Sequence, residues 1–219
     1  MIKLNHKLVI FDLDGTLMNT SPGIFATANR TMKELGQPIE TDLKKLAKFV
    51  GPPLKDCFRL TYNLDEELID DACEIFRKAY EDHGQYLATI YDGMEELLQT
   101  LTENGVDCAV GTLKYEKVAR NMIIDKGLDK YFKRVYGSDP HGKLTKASIC
   151  QRIVKELGHN NEDSVLVGDT MGDLGGAKLA NIDFIAVSYG FGFNGESLQT
   201  DDIFSICSDT KQILNSLMK

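Results

Sequence analysis

The chain has 219 residues, of which 42% are hydrophobic and 26% are charged, and its formal net charge is −8. At roughly 150 residues per domain, this length allows one or two domains with a sizeable core. An acidic chain without a basic run is a poor partner for nucleic acid or an anionic membrane surface, so we expect it to bind neither. A small anionic substrate remains compatible, because a bound metal ion reverses the local charge.

The five cysteines form no CxxC pair, and their odd number argues against both a disulfide framework and a zinc site. Free thiols are typical of a reducing compartment. The apolar run near the N-terminus meets Asp12 and is too short for a signal peptide, and no window approaches the length of a membrane span. We therefore expect a cytoplasmic protein without a membrane segment.

The first predicted element is a buried strand, Leu8–Phe11, because four consecutive apolar residues of this kind favour a β-strand. Only helical periodicity follows, from about Ser21 to His83, and Ser21 with Pro22 is typical of a helix start. This stretch predicts an all-helical insert.

Strands and helices alternate along the rest of the chain. The predicted elements are helix Met94–Thr102, strand Val106–Val110, helix Glu116–Lys126, strand Arg134–Tyr136, helix Thr145–Leu157, strand Ser164–Val167, helix Leu174–Leu179 and strand Phe184–Val187. Such alternation predicts an α/β domain with a parallel sheet and helices on both faces. This domain begins with residues 1–16 and resumes near residue 87.

Polar residues stand where the predicted strands end. They are Asp12 and Asp14, Thr112 and Lys114, and Asp169 and Asp173, with Lys146 at the start of a helix. Ligands bind beyond the carboxyl ends of parallel strands, so we expect these side chains to meet at one edge of the sheet. Each residue also has a purely structural interpretation, because Asp and Thr favour turns and helix N-caps and a lone lysine is commonly solvated.

Several carboxylates at one point repel each other and need a cation, and oxygen ligands alone favour Mg²⁺. A carboxylate beside such an ion can attack phosphorus and form an aspartyl phosphate. A second carboxyl group two residues later can protonate the leaving oxygen and then deprotonate the attacking water. A Thr hydroxyl, a Lys ammonium and a helix N-terminus can neutralise the phosphoryl oxygens.

Four segments resemble the motifs of the haloacid dehalogenase-like hydrolases, in the branch that carries a helical cap. In chain order they are FDLDGTL, VGTLK, LTKASI and VGDTMGD. The segment FVGPPLKDCF resembles the cap of phosphoglycolate phosphatase-like and 5′-nucleotidase-like members. The resemblance implies a Rossmann-like parallel-sheet core of residues 1–16 and 87–219, with an inserted all-helical cap domain of residues 17–86.

By this resemblance, Asp12 is the nucleophile and a metal ligand. Asp14 is the general acid/base and offers its backbone carbonyl to the metal. Asp169 is a further metal ligand, and Asp173 supports the metal directly or through water. The implied activity is Mg²⁺-dependent hydrolysis of a small phosphorylated metabolite, such as phosphoglycolate or a nucleoside 5′-monophosphate, by a monomer or a homodimer.

The resemblance assigns the phosphoryl group to Thr112 and Lys146, with Lys143 as the alternative lysine. Leu113 departs from the family pattern, because relatives usually carry Ser or Asn there. Three basic residues of the insert either reach a substrate or are simply solvated: Arg30, Lys55 and Arg59.

Three rival interpretations remain. GFGFNG, at Gly190–Gly195, matches the dinucleotide pattern G-x-G-x-x-G, but too few residues follow it, so a glycine loop at the edge of the sheet is preferred. A phosphomutase similar to the β-phosphoglucomutases would share the motifs and the cap. A non-catalytic binding protein on this fold would have no reason to keep both Asp12 and Asp14.

Overall fold

A computed structural model describes residues 4–139, 143–193 and 202–218 of the chain. The chain divides into two compact units, Met1–Asn19 with Ile90–Lys219, and Thr20–Thr89. The chain passes from one unit to the other after residues 19 and 89, and each of these boundaries lies three residues later than in the sequence-based division. The predicted α/β class with a Rossmann-like parallel sheet is confirmed. A cap role for the unit Thr20–Thr89 stays a prediction.

The described residues form strands, α-helices and single-turn 3₁₀ helices. The strands are β1 (Leu8–Phe11), β2 (Met18–Asn19), β3 (Thr89–Ile90), β4 (Asp107–Tyr115), β5 (Phe132–Ser138), β6 (Ser164–Gly168), β7 (Asp183–Val187) and β8 (Ser205–Cys207). The α-helices are α1 (Ser21–Glu34), α2 (Leu43–Leu46), α3 (Leu54–Tyr62), α4 (Glu66–Asp82), α5 (Met94–Glu103), α6 (Glu116–Asp125), α7 (Lys146–Leu157), α8 (Met171–Ala180) and α9 (Thr210–Leu217). The 3₁₀ helices are Ala47–Phe49, Gly84–Leu87, Asp129–Tyr131 and Asn161–Asp163.

The larger unit is built on a six-stranded sheet in the order β5-β4-β1-β6-β7-β8. Every neighbouring pair in it is parallel. Ile10 of the central strand β1 lies opposite Ala109 on one side and Leu166 on the other. Parallel strands end at the same edge, so the residues that follow β1, β4 and β6 are brought to one edge of the sheet.

The central strands β1 and β6 are buried on both faces, as expected for parallel strands joined by helical crossovers. Ile10 packs in a core with Ile153 of α7 and Ala177 of α8. Val9 and Phe11, which point the opposite way, are also fully buried. This double burial explains why β1 is a continuous apolar run and why its predicted bounds agree with the structure.

Several element bounds differ from the sequence-based predictions. β4 continues to Tyr115 rather than ending at Val110, because its pairing with β5 is maintained beyond Gly111 after a shift of register. α8 begins at Met171 rather than Leu174, because Thr170 caps its N-terminus. β8 and α9 were not predicted at all.

The smaller unit is helical, in agreement with the predicted all-helical insert. Its core holds a cluster of aromatic rings, in which Phe49 and Phe58 lie edge to face at 4.9 Å and Phe76 stacks on Tyr80 at 5.6 Å. Across both units, no helix in the described part of the chain has the length and apolar character needed to cross a membrane. All five cysteines are free and buried.

Candidate active site

Asp12 stands directly after β1, and the sheet fixes its position. Its backbone N–H donates to the Val167 carbonyl of β6 at 2.9 Å, so the hydrogen-bond ladder continues through the residue that carries the carboxylate. The Asp12 side chain is buried, whereas Asp14 is partly exposed. The chain then turns at Gly15, which has a φ of +78°.

Lys146 is the first residue of α7, after the N-cap residue Thr145. Its ammonium group donates to Asp12 Oδ1 at 2.5 Å and to the Gly111 carbonyl at 2.9 Å. It also contacts Asp173 Oδ1 at 2.8 Å. An ammonium group has three protons, and here each has an acceptor. Lys146 is therefore a buried counter-ion held in one place.

Asp169 and Asp173 come to the same cluster from β6 and α8. Asp169 is fully buried, and its Oδ2 accepts from the backbone N–H of Phe191 at 2.7 Å. Asp173 Oδ2 accepts from the Thr170 N–H and hydroxyl, and the Asp173 N–H donates to the Thr170 hydroxyl oxygen, so the two residues form a capping box. The structural interpretation of Asp173 as a helix-capping residue is thus correct, but its second oxygen faces Lys146. Asp169 does not cap α8, because Thr170 occupies that position.

The carboxylates of Asp12, Asp169 and Asp173 fit a hard divalent cation. One oxygen from each lies within 4.8 Å of the others, and among the described residues no other group of His, Cys, Asp or Glu is arranged in this way. Oxygen donors alone are the ligands that Mg²⁺ and Ca²⁺ prefer. Lys146 pairs with Asp12 and Asp173, and Lys114 pairs with Asp14, while Asp169 lies in the same oxygen cluster; one divalent ion would balance the charge when all four carboxyl groups are ionised.

Thr112 and Lys114 lie two residues apart near the end of β4. Thr112 is buried and its hydroxyl accepts from the Lys114 N–H at 3.2 Å, so it is a strand residue and not a helix N-cap. The Lys114 ammonium lies 2.9 and 3.1 Å from the two carboxylate oxygens of Asp14. Sequence reasoning placed Lys114 at this strand end but missed its pairing with Asp14. Leu113, between them, is half exposed.

The other basic candidates are exposed or are paired with acidic residues of their own unit. Lys143 is exposed, and its backbone N–H donates to Asp139. Within the helical unit, Lys55 pairs with Asp70, and Arg59 pairs with Asp56 and Glu66. Arg30 is exposed on α1.

Burial controls the proton affinity of the clustered groups. It raises the pKa of Asp12 to about 7, against the opposing attraction of Lys146 and with added repulsion from Asp173 and Asp14. Burial also raises the pKa of Asp169 to about 6, although the hydrogen bond from Phe191 works against this. Burial disfavours the Lys146 ammonium, but the charges of Asp12 and Asp173 outweigh it and raise its pKa. Without a metal ion, Asp12 and Asp169 therefore keep their protons to a higher pH than an ordinary carboxyl group does.

Comparison with known proteins agrees with this geometry. A family profile described as haloacid dehalogenase-like hydrolase matches residues 9–187, which include all four motif segments. A Pseudomonas aeruginosa protein named 5′-nucleotidase is 34% identical over 217 residues, covering 97% of each chain. A Pseudomonas syringae protein named phosphoglycolate phosphatase is 30% identical over 217 residues, covering 95% of this chain and 78% of that protein.

Solved structures show the same similarity. A haloacid dehalogenase-like family hydrolase from Streptococcus pneumoniae superposes with a TM-score of 0.86 at 30% identity, covering 96% of this chain and 98% of that one. The family predicted from the four motifs is thus confirmed, and the chain belongs to the haloacid dehalogenase-like hydrolases.

Proposed function

We propose that the chain is a Mg²⁺-dependent phosphatase that hydrolyses small phosphate monoesters through a phosphoaspartate at Asp12. The observation that carries this proposal is the placement of a buried Asp12 against Lys146, within a cluster of carboxylate oxygens at the edge of the sheet. The family and its named relatives bear out the predicted enzyme class, a phosphoric monoester hydrolase.

In the first step, the Asp12 carboxylate attacks phosphorus while the ester P–O bond breaks. Asp14 donates a proton to the leaving alkoxide, so that an alcohol departs. In the second step, Asp14 accepts a proton from water as the water oxygen attacks phosphorus, and Asp12 is released as a free carboxylate. The position of Asp14, two residues after Asp12 and partly exposed at the same edge of the sheet, supports its role in both steps.

Asp12 and Asp169, with Asp173 directly or through water and the backbone carbonyl of Asp14, would hold the Mg²⁺. When bound, the ion supplies positive charge to the phosphoryl oxygens and favours the ionised form of the nucleophile. The all-oxygen ligand set and the unbalanced negative charge of the cluster support this assignment.

Thr112 and Lys146 would hold the phosphoryl oxygens. β4 lies beside β1 with Val110 opposite Phe11, so Thr112 comes just beyond the strand position beside Asp12. Lys146 already touches the nucleophile and carries a full positive charge into the cluster. The geometry favours Lys146 over Lys143 as the phosphate-binding lysine. Lys146 contacts Asp12 within the carboxylate cluster, whereas Lys143 is exposed.

The substrate proposed is phosphoglycolate or a nucleoside 5′-monophosphate, since the relatives named above carry these two activities in their names. We propose that the helical unit Thr20–Thr89 acts as the cap and contributes to substrate choice. Lys55 and Arg59 already have acidic partners within this unit, so a substrate contact by either would require exchange of that partner.

Phosphate release from a panel of esters should depend on Mg²⁺ and on Asp12. The panel comprises phosphoglycolate, nucleoside 5′-monophosphates, sugar phosphates and 4-nitrophenyl phosphate. We expect release with Mg²⁺, none with a chelator, and none from Asp12→Asn, because the amide is not a nucleophile. Lys143→Met serves as a control that should keep activity.

Retained activity in Asp12→Asn would contradict the assignment of Asp12 as the nucleophile. Isomerisation of a sugar phosphate without net phosphate release would instead identify a phosphomutase. Binding of a panel member without turnover would favour a non-catalytic protein.

Asp14→Asn should separate the two chemical steps. We expect the variant to lose about 10²-fold or more of its rate on alkyl phosphates, which need a proton donor for the leaving oxygen. With 4-nitrophenyl phosphate, whose phenolate leaves without protonation, it should release a rapid burst of one equivalent and then turn over slowly. Stopped-flow absorbance measures both phases. Equal rates for wild type and variant would remove Asp14 from the mechanism.

The raised pKa of Asp12 should make the metal-free protein less stable as the pH rises. Between about pH 4 and pH 7 the folded protein holds a proton on Asp12 that the unfolded chain has lost, so this contribution to stability declines through that window. Asp12→Asn has no such proton. At each pH the Tm of wild type is subtracted from the Tm of Asp12→Asn. We expect this difference to increase by about 3 °C or more from pH 5 to pH 8, which corresponds to roughly 1 kcal/mol.

The control for this measurement is Asp71→Asn, because Asp71 is exposed on α4. Its Tm difference from wild type should stay flat over the same range. A flat difference for Asp12→Asn would show that burial does not raise the pKa of Asp12.

A further inference from the structure

We propose that the segment Tyr189–Phe193, here called the glycine loop, is a positioning element that holds Asp169 in the orientation needed for metal binding. The inference rests on the proposed function, in which Asp169 is a metal ligand. It concerns the segment that matches a dinucleotide fingerprint in the sequence and that the proposed mechanism leaves without a role.

The loop makes a direct hydrogen bond to the carboxylate. The backbone N–H of Phe191 donates to Asp169 Oδ2 at 2.7 Å. The other oxygen, Oδ1, lies 3.4 Å from the Thr16 hydroxyl, which is longer than a normal O–H···O hydrogen bond. One oxygen of a fully buried carboxylate is therefore held firmly by the loop, and this sets the orientation of the whole group.

Glycine is required where the loop approaches Asp169. A Cβ at Gly190 would overlap the Asp169 side chain and the Gly15 carbonyl oxygen. A Cβ at Gly192 would overlap the Asp169 carbonyl oxygen, and one at Gly15 would overlap Asp169 Oδ2. Backbone atoms and a buried carboxylate cannot move aside cheaply, so any larger residue would push the loop and Asp169 apart.

Both ends of the loop are anchored. At its start, the Tyr189 hydroxyl donates to the Thr16 carbonyl at 3.0 Å, and its ring lies 4.7 Å from that of Tyr91. At its end, Phe193 is buried and packs edge to face on Phe184 at 6.3 Å. These contacts fix the Phe191 N–H relative to Asp169 and tie the loop to the turn that follows Asp14.

This arrangement gives a different role from that of a dinucleotide fingerprint. In that motif, backbone N–H groups of the glycine segment bind a pyrophosphate. Here the N–H of Phe191 is already used by Asp169. The last two positions of the match, Asn194 and Gly195, lie outside the described residues.

The test is Mg²⁺ binding to Gly190→Ala, measured without substrate as the rise in Tm with Mg²⁺ concentration. We expect at least about a tenfold loss of affinity, as is typical when a residue that orients a metal ligand is changed. In assays, the Mg²⁺ concentration for half-maximal activity should rise by the same factor, and saturating Mg²⁺ should restore kcat. A purely structural role would not produce this rescue.

Gly175→Ala is the matched control, because a Cβ at Gly175 of α8 meets no atom within 4 Å. It should bind Mg²⁺ as the wild type does. If Gly190→Ala does not fold, Tyr189→Phe replaces it, since this change removes one hydroxyl group and keeps the ring. The Mg²⁺ affinity of Tyr189→Phe should also fall, by a smaller factor than that expected for Gly190→Ala.

A folded Gly190→Ala that binds Mg²⁺ as tightly as wild type would overturn the positioning role while leaving the proposed function intact. If Gly190→Ala does not fold, unchanged Mg²⁺ affinity in Tyr189→Phe would overturn the positioning role in the same way. A wild type whose Tm does not respond to Mg²⁺ would overturn the metal assignment, and this proposal with it.

Discussion

The ammonium group of Lys146 is the interaction on which the rest of the site depends. Moving an ion from water into a protein interior costs several kcal/mol, so a buried lysine persists only where its charge and all its protons are matched. Asp12 and Gly111 supply two acceptors from β1 and β4, and Asp173 supplies the third from α8. Four elements must therefore be in register, including α7, which begins at Lys146 itself.

The same cluster is matched in geometry but not in charge. Two ammonium groups pair with Asp12, Asp14 and Asp173, Asp169 has no such partner among the ion pairs of the described residues, and burial raises the pKa of Asp12 and of Asp169 because their charged forms are poorly solvated. The pairing thus holds the carboxylates close together without neutralising them. A protein that needed only stability would gain from replacing such a group with apolar residues. The arrangement is what a site for a cation and a phosphoryl group would require, and the glycine loop adds a hydrogen bond to Asp169.

The sequence predicts most of this architecture because its signals are local. An apolar run predicted β1, and the polar residues after the strands predicted that Asp12, Asp169 and Asp173 would lie together; a contact of Thr112 with this cluster stays a prediction. Two of the failures concern features that local patterns do not encode. The extension of β4 depends on pairing with β5, and the Lys114–Asp14 contact joins residues 100 positions apart. α9 could have been found, because Asp209 caps it and Ile213 and Leu217 recur at helical spacing.

The most direct test of a phosphoenzyme at Asp12 is to trap it. The protein would be mixed with substrate and Mg²⁺, quenched in acid and reduced with borohydride, which converts an aspartyl phosphate to homoserine. Peptide mass spectrometry then locates the modified residue. We expect homoserine at position 12, dependent on both substrate and Mg²⁺ and undetected when either is omitted. Reduction at another carboxylate, or turnover with no trapped residue in repeated quenches of the steady state, would contradict the account.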